Sequence, residues 1–156
     1  MIAVLQRVRR AAVSVDGVTI GEIDRGLVAL VGCEVGDGDE QALTVARKTA
    51  ELRIFDDDQG KLNLSVQDVS GSVLVISQFT LLGDTRKGRR PSFVRAAPSD
   101  AARPLIERYV AEIRTRGVAV ETGRFGASMI VHIENDGPVT VLIEHRRVSG
   151  DSGTLP

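Results

Sequence analysis

Residues 77–81, with the sequence SQFTL, combine three hydrogen-bonding side chains with a run that is otherwise apolar enough to be buried. Buried polar groups need hydrogen-bond partners. Because side chains alternate along a strand, we expect Ser77 to face one way and Gln78 and Thr80 to share the opposite face. From the residues alone, ordinary cross-strand hydrogen bonding and a binding site explain this pattern equally well.

A second unusual segment, residues 135–140, reads Asn-Asp-Gly-Pro-Val-Thr. Gly137 supplies backbone angles that other residues avoid, and the bond to Pro138 has access to the cis isomer at modest cost. A plain β-turn between two strands is the simplest interpretation of this segment.

A third segment is a basic loop over residues 86–95. Its five cations face a single nearby acid, Asp84, and they are Arg86, Lys87, Arg89, Arg90 and Arg95. The net charge of −1 argues against a bulk cationic nucleic-acid binder, so a local excess of this kind suits phosphate contacts. A solvated loop with salt bridges would be the simpler interpretation if the loop did not follow the SQFTL segment so closely.

The common catalytic motifs are absent: the sequence has no G-x-S-x-G elbow, H-E-x-x-H pair, Walker loop or G-x-G-x-x-G fingerprint. One cysteine and two histidines cannot assemble a Cys/His zinc site, so we expect no metal and no cofactor. His132, on a predicted strand surface, and His145, near the tail, are not favoured as catalytic bases. No run is apolar enough for a signal peptide or a membrane span, which predicts a cytoplasmic protein.

Local patterns predict the elements that must position these segments. Residues 27–31 are apolar on both faces and predict a central strand, and Asp16-Gly17 predicts a hairpin. The other predicted elements are strands at 2–8, 53–55, 72–82, 118–121, 128–134 and 139–143, a helix capped by Asp39 that runs to about Leu52, and a helix capped by Ser99 or Asp100 that ends at Gly117. We therefore predict one α+β domain over residues 1–143, with a mostly antiparallel sheet and about two covering helices. Residues 144–156 lack periodicity and are interpreted as a C-terminal tail without regular structure.

With both motifs present and in order, the sequence resembles the D-aminoacyl-tRNA deacylase family, because residues 77–81 and 135–140 look like its two signature motifs. The similarity extends over roughly residues 1–143. It includes residues 6–8, 53–55, 63–66, 84–88, 90–93, 122–123 and 125–127. The resemblance implies a barrel-like deacylase fold and hydrolysis of the ester that joins a D-amino acid to tRNA. It also implies removal of glycine wrongly attached to the alanine tRNA.

The resemblance further implies a homodimer in which Gly137 and a cis Pro138 of one subunit enter the pocket of the other. Rigid backbone there would bind the substrate's α-amino group and exclude any L side chain, while glycine would pass. Aminoacyl esters are intrinsically reactive, so positioning and backbone N–H groups can replace an acid–base pair.

Roles for individual residues follow from the same resemblance. Phe79 and Thr80 are expected to bind the substrate and supply oxyanion contacts, Ser77 and Gln78 to shape the pocket, and Arg7 to orient the Gly-Pro segment. Thr80 as a covalent nucleophile is disfavoured, because no activating base is evident. The remaining expected contacts are Phe125, Gly126, Ala127 and Met129 in the substrate pocket, and Arg86, Lys87, Arg89 and Arg90 on the tRNA acceptor end.

Two other functions stay open at this level. A non-catalytic RNA- or nucleotide-binding module would use the basic loop without turnover. A small-molecule esterase or amidase would use the hydroxyl of Thr80 or Ser77 and would not need RNA. Neither a membrane nor DNA is expected as a partner. The preferred amino acids and tRNAs are not evident from the sequence.

Overall fold

The structure of the chain is a computed structural model that describes residues 1–146. No helix within this part is long and apolar enough to cross a membrane. The elements in chain order are β1 (Ile2–Val15), β2 (Val18–Ile23), β3 (Gly26–Gly32), α1 (Asp39–Glu51), β4 (Phe55–Asp56), β5 (Leu62–Leu64), β6 (Ser72–Ser77), a 3-10 helix (Phe79–Leu82), α2 (Ser99–Thr115), β7 (Ala119–Thr122) and β8 (Ile130–Glu144).

Six of the strands form one barrel-like sheet in the order β2-β1-β3-β6-β7, with β8 paired to β1. The predicted α+β class with two helices is confirmed, and so is the hairpin, where Asp16 and Gly17 have φ angles of 51° and 78°. Pairing is antiparallel around β1 but parallel along β3-β6-β7. The parallel half arises because α1 and α2 lie in the connections that lead from β3 to β6 and from β6 to β7.

The central strand β3 is buried on both faces, as its composition predicts. Leu27, Ala29 and Val31 face the larger core, which the two helices cover. Val28 faces a second, smaller core that also receives Leu74 of β6. Strand alternation thus divides the interior into two apolar layers on the two sides of the sheet.

The two helices are joined by a buried polar contact. Thr49 Oγ1 of α1 donates to the carbonyl of Val45 at 2.9 Å, and Tyr109 of α2 places its hydroxyl 2.8 Å from the same Oγ1. Burial raises the pKa of Tyr109, so its hydroxyl stays protonated and donates to Thr49. The contact satisfies both hydroxyls inside the core.

Both predicted helix caps are wrong by one or two residues. Asp39 is the first residue of α1, and Gly38 takes the N-cap position, where its N–H donates to the side chain of Gln41 at 2.9 Å. Ser99 is likewise the first residue of α2, and Pro98 is its N-cap. In both places a residue with extended backbone precedes the expected cap.

The predicted pair of strands at 128–134 and 139–143 is in fact one strand, β8. The predicted turn between them is a bulge, because Val8 pairs with Asn135 while Gln6 pairs with Thr140. Glu144 still belongs to β8, and the N–H of His145 donates to the carbonyl of Met1 at 3.0 Å. The rest of the predicted tail, residues 147–156, lies outside the described residues.

Gly26 should be indispensable for the register between β3 and β6. It pairs with Ser72, and a Cβ at this position would lie 1.9 Å from the carbonyl oxygen of Ser72. We expect Gly26→Ala to lower the free energy of unfolding by about 3 kcal/mol, because the backbone must move to accept the methyl group. Chemical denaturation measures this loss. Gly38→Ser is the control, since the nearest atom to a Cβ at Gly38 is 3.7 Å away; equal stability of the two variants would contradict the prediction.

Candidate active site

A cavity of about 530 Å³ opens where the carboxyl ends of β3 and β6 meet the start of α2. Its walls are mostly apolar or small. The lining residues come from five stretches of chain and are Val31, Cys33, Ser77, Gln78, Phe79, Phe93, Ala96, Ala97, Pro98, Ser99, Ala102, Ile106, Phe125, Gly126, Ala127 and Met129. A concave apolar pocket with a few polar groups is the usual form of a small-molecule or substrate site.

The SQFTL segment enters this cavity through a change of backbone conformation. β6 ends at Ser77, the N–H of Gln78 donates to the carbonyl of Val31 at 2.7 Å, and the chain then turns into the 3-10 helix. The strand predicted over residues 72–82 is therefore too long. The predicted alternation is also wrong, since Gln78 and Phe79 both line the cavity.

Thr80 is exposed and does not line the cavity. Its Oγ1 accepts a hydrogen bond from Gln78 Nε2 at 3.1 Å. The two side chains that were expected to share a face are thus in contact, although no strand holds them there. Thr80 consequently supports the side chain of Gln78, which does line the cavity.

The lining contains no charged side chain, so the cavity offers no acid–base pair. Cys33 contributes a thiol to the cavity, and its Sγ lies 3.8 Å from the carbonyl oxygen of Ala102. Burial raises the pKa of Cys33 to about 12. The thiol is therefore protonated near neutral pH and is not a nucleophile. Chemistry in this cavity has to come from positioning and from backbone dipoles.

The resemblance pointed to residues 125–129 of the lining but not to a second wall. Phe125, Gly126, Ala127 and Met129 all line the cavity, and their contact with the substrate stays a prediction. The missed wall is one face of α2, where Ser99, Ala102 and Ile106 recur at helical spacing. The small residues Ser99 and Ala102 on that face were the feature of the sequence that could have indicated this wall.

Phe93 is another missed residue, and it joins the cavity to the basic loop. Its ring contacts that of Phe79 edge to face, with 5.1 Å between centroids and an angle of 72°. Asp84 and Ser92 close the loop through two backbone hydrogen bonds of 2.7 and 2.9 Å. The cations between them are exposed, and the loop is followed directly by Phe93, which lines the cavity.

The loop cations differ in their pairing. Arg86 makes a bidentate contact with Asp84, with Nη2 to Oδ2 at 2.7 Å, and this guanidinium holds the pKa of Asp84 well below its usual range. Lys87, Arg89 and Arg90 make no ion pair within residues 1–146. Three of the four predicted tRNA-binding cations are therefore free to bind a phosphate.

The bulge in β8 presents Gly137 and Pro138 at the surface, with a cis bond between them. Gly137 has a φ of +128°, and a Cβ there would lie 2.8 Å from Val139. The base of the bulge is closed by Asn135, whose side chain donates to Thr140 Oγ1 and accepts from the N–H of Val139, both at 3.1 Å. Only glycine fits this position without strain.

Arg7 fixes the side of the bulge and is only 7% exposed. Its Nε donates to the carbonyl of Asp136 at 3.1 Å, and its Nη1 donates to the carbonyl of Ile54 at 3.0 Å and to the carboxylate of Asp56 at 3.1 Å. A buried charge needs such partners. Arg7 therefore ties the Gly137-Pro138 bulge to the start of β4.

Within one chain, the structure does not bring the two motifs together. Gly137 and Pro138 are absent from the cavity lining, as is Arg7, whereas Ser77, Gln78 and Phe79 are part of it. The bulge is instead exposed and lies outside the cavity lining of its own chain.

Comparison with known proteins gives consistent matches. Residues 4–144 match the family model described as D-Tyr-tRNA(Tyr) deacylase. A D-aminoacyl-tRNA deacylase of Heliobacterium modesticaldum is 59% identical over 146 residues, which cover 94% of this chain and 97% of that protein.

Two solved structures share the fold. The c-Myc DNA Unwinding Element Binding Protein is 39% identical, with a TM-score of 0.88 over 94% of this chain and all of that one. A probable eukaryotic D-amino acid tRNA deacylase, 19% identical over 91% of this chain and 97% of that one, has a TM-score of 0.78 and supports the fold alone. The family model and the close relative span nearly the whole described chain, including both motifs, and this chain therefore belongs to the D-Tyr-tRNA(Tyr) deacylase family.

Proposed function

We propose that this chain hydrolyses the ester bond of D-aminoacyl-tRNA in the cavity that Ser77, Gln78 and Phe79 line. Family membership supports the reaction, which releases a free amino acid and tRNA. The observation that carries the location is that one signature motif opens into a neutral, apolar cavity beside a basic loop. The aminoacyl-adenosine end, which carries no negative charge, fits the former, and the phosphates of RNA fit the latter. Protein synthesis supplies this substrate, so the predicted compartment is the cytoplasm.

The reaction needs little from side chains. Water adds to the ester carbonyl, the bond to the ribose oxygen breaks, and that oxygen leaves with a proton. The N–H groups of Phe79 and Thr80 begin the 3-10 helix and have no backbone acceptor within residues 1–146, so they are available to an oxyanion. The ribose hydroxyl next to the ester is the nearest group that can assist the proton transfer. Thr80 itself is expected to hold Gln78 rather than attack the carbonyl.

The selection for D-amino acids is assigned to Gly137 and Pro138 of a second copy. Two observations support this assignment: the bulge is absent from the cavity of its own chain, and it is held rigidly in an exposed position by Arg7, Asn135 and Thr140. A rigid backbone wall against the substrate's α-carbon leaves no room for an L side chain. Glycine, which has no side chain, is expected to be accepted as well.

The surface next to the bulge has the apolar character of a subunit interface. Val4 of β1 pairs with Leu30 on one side and with Leu142 on the other, so the three side chains form one row across the sheet. Leu142 is 56% exposed and Phe79, at the cavity, is 58% exposed. Large apolar side chains left in water around a site favour burial against a partner. A two-fold homodimer would cover this row and bring each bulge to the other cavity.

A non-catalytic RNA-binding module is the second candidate, and the exposed cations of the basic loop favour it. Such a module would bind tRNA through phosphates and leave the ester intact. DNA is not expected as a physiological partner of either candidate. Turnover separates the two functions.

In single-turnover assays, the protein should hydrolyse D-Tyr-tRNA and Gly-tRNA and leave L-Tyr-tRNA intact. The double variant Gly137→Ala, Pro138→Ala should slow both reactions about 100-fold or more, because the wall that orients the amino acid is displaced. Gly60→Ala, at another exposed glycine with positive φ, is the matched control and should keep the wild-type rates. Absence of any hydrolysis by the wild-type protein would favour the binding module.

Mixing two inactive variants should restore activity if the site is shared. Gly137→Ala, Pro138→Ala removes the bulge, and Ala102→Phe fills the cavity. After unfolding and joint refolding, about half of the dimers are mixed, and in each mixed dimer one of the two sites combines an intact bulge with an intact cavity. About a quarter of all sites are then intact, so activity should return to about a quarter of the wild-type value. Native mass spectrometry counts the mixed dimers. Mixed dimers without activity would exclude a cross-subunit site, and a monomeric wild-type protein would exclude it as well.

Neutralising the loop should weaken tRNA binding in proportion to the free cations. Replacing Lys87, Arg89 and Arg90 together by glutamine is expected to reduce the slope of log affinity against log salt by roughly 2, at about 0.7 per phosphate contact. Arg86→Gln should change the slope less, because Arg86 already pairs with Asp84. Filter binding over a salt series gives both slopes. Unchanged slopes in the triple variant would remove the loop from tRNA binding.

A further inference from the structure

Arg103, on α2, stands at the rim of the cavity although it is not part of the lining. Its guanidinium carbon lies over the ring of Phe125, 4.8 Å from the ring centre. Phe125 is part of one wall of the cavity, and Ala102, the residue before Arg103, is part of the wall that α2 forms. The guanidinium is therefore placed where these two walls approach each other at the surface.

The charge of Arg103 has no acidic partner within the described residues. Arg103 is exposed, and no carboxylate of residues 1–146 lies within ion-pair distance of it. Arg108, farther along the same helix, does have an acidic partner, Asp39, at 3.8 Å. The cavity itself has no charged lining residue. Among residues 1–146, Arg103 is thus a cation without an acidic partner next to a neutral pocket.

Stacking on Phe125 uses only one face of the guanidinium. Its N–H groups lie in the guanidinium plane and point outwards from its edges, so they remain able to bind an anion while the stack persists. The aromatic ring also limits the freedom of a long side chain, which reduces the entropy lost when an anion binds. Planar N–H pairs of this kind match phosphate oxygens well.

We propose that Arg103, held by Phe125, binds the 5′-phosphate of the nucleoside whose ribose carries the aminoacyl ester. The proposal rests on the proposed function, because it takes the aminoacyl-adenosine end to be the occupant of the cavity. The ester and the nucleoside lie in the neutral pocket, and the first negative charge of the RNA chain meets Arg103 at its rim. This phosphate subsite on α2 is separate from the basic loop, which follows the 3-10 helix.

The experiment compares the binding of adenosine and of adenosine 5′-monophosphate by titration calorimetry. Wild-type protein should bind the monophosphate about tenfold more tightly, as expected of one charge-assisted contact. Arg103→Met keeps an unbranched side chain but removes the charge, and it should abolish the difference while adenosine binds as before. Arg103→Lys should retain part of the preference. Arg108→Met, at the paired arginine of the same helix, is the control and should bind like the wild type.

The following results would overturn the proposal. If Arg103→Met weakens both ligands equally, the arginine only orders the Phe125 wall. If the wild type binds neither ligand, or does not prefer the monophosphate, there is no phosphate subsite. The proposed function would fail in a different way. If the protein prefers the monophosphate but leaves D-Tyr-tRNA intact, the phosphate subsite stands and the proposed hydrolysis is rejected. If Arg103→Met hydrolyses D-Tyr-tRNA with an unchanged KM, the proposed hydrolysis stands and the phosphate subsite is rejected.

Discussion

The double pairing of β1 is the constraint on which the rest of the molecule depends. One edge of this strand pairs with β8 almost from end to end, and the other edge pairs first with β3 and then with β2. The register to β8 shifts between Gln6 and Val8 and again before Ala11, and these shifts create the bulge opposite Arg7. Because β3 in turn sets the position of β6, both motifs receive their positions from a single strand.

Charge has different roles in the two halves of the proposed site. Around the bulge, a buried guanidinium is satisfied by two carbonyls and a carboxylate, and its function is to hold backbone in place. In the cavity, the lining is neutral, and charges stand only outside it. An enzyme that acts on an already reactive ester needs such an arrangement, because exact placement of the carbonyl contributes more than proton transfer by side chains. The absence of familiar catalytic motifs from the sequence agrees with this chemistry.

Much of the fold could be predicted because it is encoded locally. The hairpin at Asp16-Gly17 requires positive φ, and the two-sided burial of β3 is visible in its unbroken apolar composition. The errors occur where distant residues decide the backbone. The strand after Ser72 stops because the chain turns into the 3-10 helix, where the N–H of Leu81 bonds to the carbonyl of Gln78. Residues 135–140 form a bulge rather than a turn because β1 continues beside them. The cavity wall on α2 was missed for the same reason, since only the folded chain brings Ser99 and Ala102 to the SQFTL segment.

The protonated state of Cys33 has a consequence for the conditions under which the cavity stays intact. Oxidants and electrophiles react with thiolates, and a thiol whose pKa is about 12 presents almost none near neutral pH. Enzymes that work through a cysteine nucleophile lose activity when peroxide accumulates. The Cys33 thiol of this cavity is therefore a poor target for oxidants, whereas the thioether of Met129, the other sulfur in the lining, does not need deprotonation to be oxidised.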